Sequence, residues 1–521
     1  MNGAQALAHT LVDAGVDLLF TNPGTSEMHF VAALDRVPGM RCVLTLFEGV
    51  ATGAADGYFR LAQRPAGTLL HLGPGLANGL ANLHNARKAH SGIVNVVGDH
   101  ASAHLALDAP LSSDLPAVAH TMSHWVQTVP CTAEMVLRGR AAVAAAQSRP
   151  GQIATLILPA DKAWSAYDGA APAGGAIGPA ALQSVDADTV EQVAAWLRGR
   201  ADTTLLLLGG PAVCGEALRW AGRIAAATGC TVMSELYAER IERGAGRVAL
   251  PRLPYAADAA AAVLARFECI VLVGAAAPVA FFAYPDKPGR LTAPGTETVT
   301  LARRGDDVAG ALRSLGEALD AVRVPFVACG MPAPGAALAD TAALDSHTIG
   351  ALLASLIPED AIVVDEAVTT GRGFDAATRH AAPHDWLTIM GGSIGYGLPV
   401  AVGAAMAAPG RKVVALEGDG SAMYTLQALW TMARENLDVT VIVFANRSYK
   451  ILHHEFTNTG AGVPGVRASD MLTLDRPNLD WCALAKGHGV AARRASNVAE
   501  LRAAIGHALA SGGPSVIEAL C

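Results

Sequence analysis

Short apolar runs alternate with longer amphipathic stretches along most of this chain. In the first 165 residues the apolar runs are rich in Val, Ile and Leu, which is typical of strands buried on both faces of a sheet. The stretches between them place apolar residues three or four positions apart, which indicates helices. We predict strands at residues 17–21, 42–46, 68–72 and 93–97. Strands that alternate with helices indicate an α/β protein with a doubly wound parallel sheet.

The same alternation returns twice further along the chain. Two stretches rich in Ala, Gly and Pro, residues 166–185 and 326–344, separate the three blocks and are typical of linkers. We therefore predict three α/β domains, at residues 1–165, 186–325 and 345–521. Further strands are predicted at residues 204–208, 231–233, 269–273, 361–364, 387–390 and 515–519.

Residues 411–449 have the most informative pattern. We predict a strand, a glycine-rich turn, a helix capped by Ser421 and a second strand, at residues 412–417, 418–420, 422–435 and 439–444. A helix of about 15 residues spans about 22 Å, and a six-residue strand spans about 20 Å. The chain therefore returns to the edge that it left. Asp419 and Asn446 are expected at the carboxyl ends of parallel strands, where open α/β sheets bind ligands.

These residues offer only oxygen ligands. Asp419 supplies a carboxylate, Asn446 an amide oxygen, and the turn that ends at Ser448 supplies free backbone carbonyls. Such a half-shell suits Mg²⁺ that also keeps phosphate oxygens and water. Gly418 and Gly420 allow a diphosphate to approach the backbone, and the N-terminus of the next helix faces it.

The composition excludes several classes of protein. Hydrophobic residues make up 52% and charged residues 16% of the chain, the net charge is −8, and no basic run is present, which argues against a nucleic-acid partner. The eight cysteines are scattered without a CxxC pair, a pattern typical of reducing surroundings. No apolar run approaches the roughly 20 residues of a membrane span. We therefore expect a cytoplasmic protein with no membrane partner.

The GDG turn at residues 418–420, followed after 25 further residues by Asn446, resembles the metal–diphosphate motif of thiamine diphosphate (ThDP) enzymes. The resemblance extends over essentially the whole chain and is greatest to the acetolactate synthase large-subunit-like branch, near benzoylformate decarboxylase. It implies three doubly wound parallel-sheet domains: pyrimidine-binding, central Rossmann-like, and diphosphate- and Mg²⁺-binding.

The resemblance also implies a function. The expected activity is non-oxidative decarboxylation or carboligation of a small 2-oxo acid, acetolactate synthase-like, with ThDP and Mg²⁺ as cofactors and a C2 ylid and an enamine as intermediates. The expected assembly is a homodimer at least, and a homotetramer by analogy with relatives.

Three residues carry the expected catalysis. Glu48 lies between an apolar strand and an apolar helix and matches the acid that meets N1′ of the aminopyrimidine, although a carboxylate at a strand end is more often solvated or capping. His71 matches an active-site His of benzoylformate decarboxylase-like enzymes, and Thr25 matches a small hydroxyl residue that faces substrate. A lone His is more often structural. Asn78 is interpreted as a helix cap.

Further positions follow from the resemblance, and each has an ordinary alternative as a core or turn residue. Ile394 would wedge between the two cofactor rings, and the Gly392 carbonyl would accept a 4′-amino hydrogen. Cofactor contacts are expected from Glu48, Gly392, Ile394, Thr369, Thr370, Gly418, Gly420, Ser421, Asn446, Ser448, Tyr449 and Ile451. Metal ligands are expected from Asp419, Asn446 and Ser448.

The chain departs from the family pattern at several positions. Glu455 stands where acetolactate synthases carry a Trp, and Phe281 and Phe282 stand where benzoylformate decarboxylase-like enzymes carry a His. Gly209-Gly210 is not a GxGxxG fingerprint, and FAD, which acetolactate synthases hold in the central domain, is not supported by the sequence. Two alternatives stay open: a flavin- or nicotinamide-dependent oxidoreductase on Rossmann sheets, and a non-catalytic paralogue.

Overall fold

A computed structural model describes residues 1–170, 172–331 and 338–521, which form three β-sheets layered with helices. Parallel pairing dominates all three sheets, so the predicted α/β class is confirmed. Part of the predicted linker at residues 326–344 lies outside the described residues. No helix of the described residues is long and apolar enough to cross a membrane.

The first sheet is built from six strands. They are β1 Leu18–Thr21, β2 Arg41–Leu44, β3 Ala66–His71, β4 Ile93–Asp99, β5 Trp125–Thr128 and β6 Ile153–Pro159. All pair in parallel, in the order β2-β1-β3-β4-β6-β5. Successive residues of β4, such as Val96 and Val97, enter hydrophobic cores on opposite faces, which explains why the apolar run is continuous. The helices are α1 Gly3–Asp13, α2 Met28–Leu34, α3 Glu48–Ala62, α4 Leu72–Lys88, α5 Leu115–His120, α6 Met135–Ala146 and α7 Ala160–Trp164.

The middle of the chain forms a smaller parallel sheet. Its strands are β7 Thr204–Leu208, β8 Thr231–Ser234, β10 Cys269–Val273 and β11 Glu297–Ala302, in the order β11-β10-β7-β8. The strand β9, Ile241–Arg243, lies between β8 and β10 in the chain but belongs to another sheet. The helices are α8 Ala187–Arg200, α9 Gly215–Thr228, α10 Ala257–Leu264 and α11 Val308–Ala318.

The last sheet combines six strands of the C-terminal third with β9. These strands are β12 Ile362–Glu366, β13 His384–Thr388, β14 Val413–Gly418, β15 Val439–Ala445, β16 Ala491–Ala495 and β17 Ser515–Leu520. The order is β16-β17-β15-β14-β12-β13-β9, and only β9 runs antiparallel to its neighbour. The helices are α12 Ser346–Leu356, α13 Phe374–Ala377, α14 Gly397–Ala407, α15 Asp419–Ala422, α16 Ala428–Arg434, α17 Lys450–Asn458, α18 Val466–Asp470, α19 Trp481–Gly487 and α20 Val498–Ala510.

The antiparallel edge strand β9 was not expected from the sequence. It is only three residues long and carries two charged residues, so it has no apolar run to reveal it. Arg243 fixes it to the sheet, because its guanidinium pairs with Asp375 and lies 4.8 Å from the ring centroid of Trp386.

The single helix predicted at residues 422–435 is wrong. The structure has two short helices, α15 and α16, separated by a turn in which the Thr425 hydroxyl donates to the Gly395 carbonyl. This tertiary bond competes with helix continuation. Ser421 does not cap the helix, because α15 begins earlier and the Ser421 hydroxyl donates to the Gly418 carbonyl.

Helices α3 and α14 join the first and last sheets into one body with a shared hydrophobic core. Their backbones approach closely at two glycines: a Cβ on Gly57 would lie 2.2 Å from the Val400 carbonyl oxygen, and one on Gly403 would lie 1.9 Å from the Ala54 carbonyl oxygen. Only glycine fits at these positions. This contact fixes Glu48, the first residue of α3, relative to the last sheet.

Candidate active site

The structure brings Asp419 and the turn after β15 into direct contact. Strands β14 and β15 are parallel neighbours, with Gly418 opposite Phe444. The Asp419 carboxylate accepts the N–H groups of Arg447 at 2.7 Å and Gly420 at 3.0 Å. The Asn446 side-chain oxygen accepts the Ser448 N–H at 3.0 Å, which closes the turn. The predicted oxygen ligands therefore lie at one edge of the sheet.

This cluster suits a divalent cation. Asp419 is 3% exposed, and the structure shows no ion pair to it within the described ranges. Burial raises the pKa of its carboxyl group to about 6. A buried carboxylate without a counter-charge is costly unless a cation joins it, and an all-oxygen donor set suits Mg²⁺. Ser448 can contribute its carbonyl oxygen, and its hydroxyl donates to the Leu472 carbonyl at 3.0 Å.

Next to this cluster the loop from Gly391 to Gly397 is held by one buried carboxylate. Glu366, at the end of β12, accepts the N–H of Gly395 at 2.6 Å and that of Gly397 at 2.7 Å. Asn85 adds a bond to the Ser393 carbonyl at 2.8 Å. These bonds fix the backbone that presents the Gly392 carbonyl and the Ile394 side chain.

A second buried carboxylate, Glu417, lies beside Glu366. The two residues are partners in the register of β12 and β14, and both are buried. Neither Glu417 side-chain oxygen meets a hydrogen-bond partner of good geometry among the described residues. Burial raises the pKa of both carboxyl groups, and the charge of Glu366 raises that of Glu417 further. Sequence reasoning missed this pair, although a Glu at the end of each apolar strand was a signal for it.

Four of the predicted cofactor residues line one cavity of about 460 Å³: Gly392, Ile394, Tyr449 and Ile451. Glu366 also lines it, and residues of the middle segment form the opposite wall. Gly420 makes room for the Tyr449 ring, because a Cβ there would lie 2.5 Å from it. Thr369 and Thr370 line a neighbouring cavity of about 380 Å³ together with Asn446.

Glu48 begins α3 and is 6% exposed. Its carboxylate accepts the side-chain N–H groups of Asn22 at 3.2 Å and Asn78 at 3.0 Å. Asn78 lies inside α4, so the prediction that it caps a helix is wrong. Two neutral amides hold the carboxylate in place without neutralising it.

His71, at the end of β3, belongs to a second polar group on the same domain. Its Nδ1 lies 2.8 Å from a carboxylate oxygen of Glu27 and 3.1 Å from the Ser26 hydroxyl. Glu27 is 1% exposed and also accepts the Gly24 N–H at 2.8 Å. Because a carboxylate can only accept, Nδ1 donates to it, and Nε2 is free to face a ligand. Thr25 is exposed in the same turn. Sequence reasoning missed Ser26 and Glu27.

The predicted residues thus form two groups in one chain. Glu48, His71 and Thr25 do not line the cavity that contains Gly392 and Ile394. One group lies on the first sheet and the other lies on the last.

Both ends of the chain match models of known protein domains. Residues 1–128 match the family model "Thiamine pyrophosphate enzyme, N-terminal TPP binding domain", and residues 371–519 match "Thiamine pyrophosphate enzyme, C-terminal TPP binding domain". The chain belongs to the thiamine pyrophosphate enzyme family. The predicted family and the prediction of a ThDP-dependent enzyme are thereby confirmed.

Individual relatives cover the whole chain. One is "Putative acetolactate synthase large subunit IlvX" of Mycobacterium tuberculosis, 51% identical over 99% of this chain and 98% of that protein. Another is "Benzoylformate decarboxylase" of Pseudomonas aeruginosa, 30% identical over 97% of this chain and 96% of that protein. A solved 4-hydroxybenzoylformate decarboxylase from Rhodococcus jostii RHA1 shares the fold, with a TM-score of 0.83, 24% identity, and coverage of 100% of this chain and 99% of that one.

Proposed function

We propose that this chain is a Mg²⁺- and ThDP-dependent enzyme that decarboxylates a 2-oxo acid without oxidation, and that either releases an aldehyde or joins the product to a second carbonyl compound. The contact between Asp419 and the 446–448 turn, beside the cavity of Gly392 and Ile394, carries this proposal. When bound, ThDP supplies the carbon nucleophile and the electron sink for loss of carbon dioxide.

The chain's own residues would hold the cofactor and the metal in position and keep water out of the site. Asp419, Asn446 and the Ser448 carbonyl would hold Mg²⁺, and Gly418, Gly420, Ser421, Thr369 and Thr370 would surround the diphosphate. Ile394 and the Gly392 carbonyl would fix the angle between the rings, with Tyr449 and Ile451 as further walls. Glu48 would hold a proton at the pyrimidine, His71 would transfer a proton or bind the substrate carboxylate, and Thr25 would face the substrate. We assign no role to FAD.

We further propose that two copies of the chain complete each site. The Glu48 group and the cavity do not meet within one chain, so the Glu48 group of a second copy would close the cavity. A homodimer is then the smallest active unit, and a homotetramer is a pair of such dimers. The eight free cysteines support a cytoplasmic setting, since thiols stay reduced there.

The test begins with protein stripped of metal and cofactor. ThDP and Mg²⁺ are added back, a panel of 2-oxo acids is supplied, and carbon dioxide and organic products are measured. Carbon dioxide release should require both additions. Asp419→Asn should lower Mg²⁺ affinity by at least ~10-fold, since it removes a charged ligand, whereas Asp470→Asn at an exposed position should not. A protein that binds neither ThDP nor Mg²⁺ contradicts the proposal.

A further inference from the structure

The acidic groups of the 460 Å³ cavity are already occupied by donors. Glu366 accepts two backbone N–H groups, at 2.6 and 2.7 Å. Glu455 accepts the Tyr284 hydroxyl at 3.0 Å, and Asp365 accepts the Ala367 N–H at 3.1 Å. The acceptor side of this cavity is therefore largely satisfied from within the chain.

The basic groups of the same cavity are not occupied. Arg252 and Arg372 line it, and neither forms an ion pair or a side-chain hydrogen bond with any residue that the structure describes. Three arginines of the middle segment that line other cavities, Arg240, Arg243 and Arg304, each pair with a carboxylate. Two guanidinium groups of the cavity, which only donate, are therefore left without an ion-pair partner among the described residues.

Aromatic rings lie between Arg372 and Gly392. A Cβ on Gly392 would lie 2.6 Å from Phe281, whose ring centroid is 5.8 Å from that of Tyr255. The guanidinium of Arg372 lies 5.9 Å from the Tyr255 ring centroid. Contacts thus run in order from the loop that faces the cofactor, through Phe281 and Tyr255, to a cation.

The aromatic layer itself is open to the cavity. Phe281 is 40% and Phe282 is 52% exposed, with ring centroids 4.8 Å apart. Exposure of such rings to water is energetically unfavourable, and covering them with an apolar group is favourable. An apolar segment of a ligand that extends from the loop at Gly392 towards Arg372 would cover these rings.

We propose that this site selects a 2-oxo acid whose side chain ends in an anionic group, with Arg252 and Arg372 binding that group and Phe281 and Phe282 packing on the apolar segment before it. The proposal rests on the function proposed above and specifies its substrate class. It also implies rejection of 2-oxo acids with cationic side chains, because the arginines repel them.

Two matched pairs of 2-oxo acids test this with the ThDP–Mg²⁺ holoenzyme. The first pair is 2-oxoadipate and 2-oxohexanoate, and the second is 4-carboxybenzoylformate and 4-methylbenzoylformate. In at least one pair the anionic member should have a kcat/KM about 10- to 100-fold higher, the value of one or two charge-assisted hydrogen bonds. Calorimetry measures in parallel the binding affinity of each acid under conditions in which the enzyme does not convert it.

The variants Arg252→Met and Arg372→Met should remove most of that preference while leaving the uncharged member within about threefold, since its side chain makes no charged contact. Arg266→Met is the matched control, because that guanidinium lies over Phe267, outside the cavity. The apparent affinity for ThDP should be unchanged in all three variants.

Three outcomes would overturn the inference. The first is the same preference for the anionic acid in the wild type and in both variants, and the second is a preference for the uncharged member of both pairs. The third is a loss of ThDP affinity in Arg372→Met without a change in side-chain preference. The last would assign Arg372 to the diphosphate. Absence of carbon dioxide from all four acids contradicts the proposed decarboxylation instead, while the calorimetric preference still decides the present inference.

Discussion

Glu48 is held by neutral donors, and this determines what its carboxylate can do. Asn22 and Asn78 fix its position through amide N–H groups, and no cation compensates its charge within the described residues. The carboxylate therefore keeps its full capacity to share a proton with a ring nitrogen. An amide at position 48 would keep the shape and lose that capacity.

We expect Glu48→Gln to fold and to bind ThDP and Mg²⁺ with little change, and to lose at least ~100-fold in kcat, the usual scale of a positioned acid–base group. Steady-state rates and cofactor titration measure the two effects separately. Glu191→Gln, at an exposed ion pair with Arg198, is the control. Full turnover by Glu48→Gln would remove Glu48 from the mechanism.

His384 at the start of β13 makes stability depend on pH. Burial lowers the pKa of its imidazole to about 4, Nδ1 lies 2.6 Å from the Ala382 carbonyl, and Nε2 is buried without a partner among the described residues. The unfolded chain takes up a proton below its ordinary pKa of about 6.5, whereas the folded chain stays neutral down to about 4. The contribution of His384 to stability is therefore fully present above about pH 6.5, and it falls as the pH drops from about 6.5 to about 4.

The free energy of unfolding should fall by about 2 kcal/mol from this residue alone between pH 7.5 and pH 5. His384→Asn should show a correspondingly flatter pH dependence in urea unfolding. His507→Asn, at an exposed position of α20, should follow the wild type. Parallel curves for wild type and His384→Asn would show that another group controls this window.

At the scale of elements, the crossing of α3 and α14 depends on glycine. A Cβ on Gly403 would lie 1.9 Å from a carbonyl oxygen of the facing helix, and both helices are part of one core, so the backbones must separate. We expect Gly403→Ala to lower the free energy of unfolding by about 2 kcal/mol.

Gly506→Ala is the matched control, because Gly506 lies in α20 and a Cβ there meets nothing within 4 Å. It should stabilise the protein by about 0.5–1 kcal/mol through reduced chain entropy. Denaturant midpoints for the two variants give the comparison. Equal effects of the two substitutions would show that the crossing can relax.

Sequence patterns predicted elements where burial alone determines them. The strands β7 and β10 begin and end at the predicted residues, because each is an uninterrupted apolar run. The break between α15 and α16 could not be predicted, since it depends on a bond from Thr425 to Gly395, 30 residues away. The same holds for Glu27, whose partner His71 is 44 residues distant. The proximity of Asp419 and Asn446 could be predicted from the sequence, because one βαβ unit carries both residues.

At the scale of the whole molecule, the separation of the Glu48 group from the cavity leads to a test by mixing inactive variants. If each site takes Glu48 from one chain and Asp419 from another, a hybrid dimer of Glu48→Gln and Asp419→Asn has one intact site. Random assembly should then restore about a quarter of wild-type activity.

Co-expression of two differently tagged chains, followed by assay of the mixture, makes this measurement. The assay uses a Mg²⁺ concentration that saturates the wild type but not Asp419→Asn, and each variant mixed with itself is the control that gives the residual activity. If both residues of a site came from one chain, no hybrid would contain an intact site, and activity would remain at the level of the controls.

The small strand β9 ties the order of synthesis to the order of folding. It leaves the ribosome well before β13, the strand it borders, so it must wait without a partner while the intervening chain is made. Conversely, the last third of the chain on its own would present an unprotected backbone edge, a template for pairing between copies. The C-terminal third therefore needs β9 to cover the edge of its sheet. Cutting the protein at its linkers would expose that edge and favour aggregation.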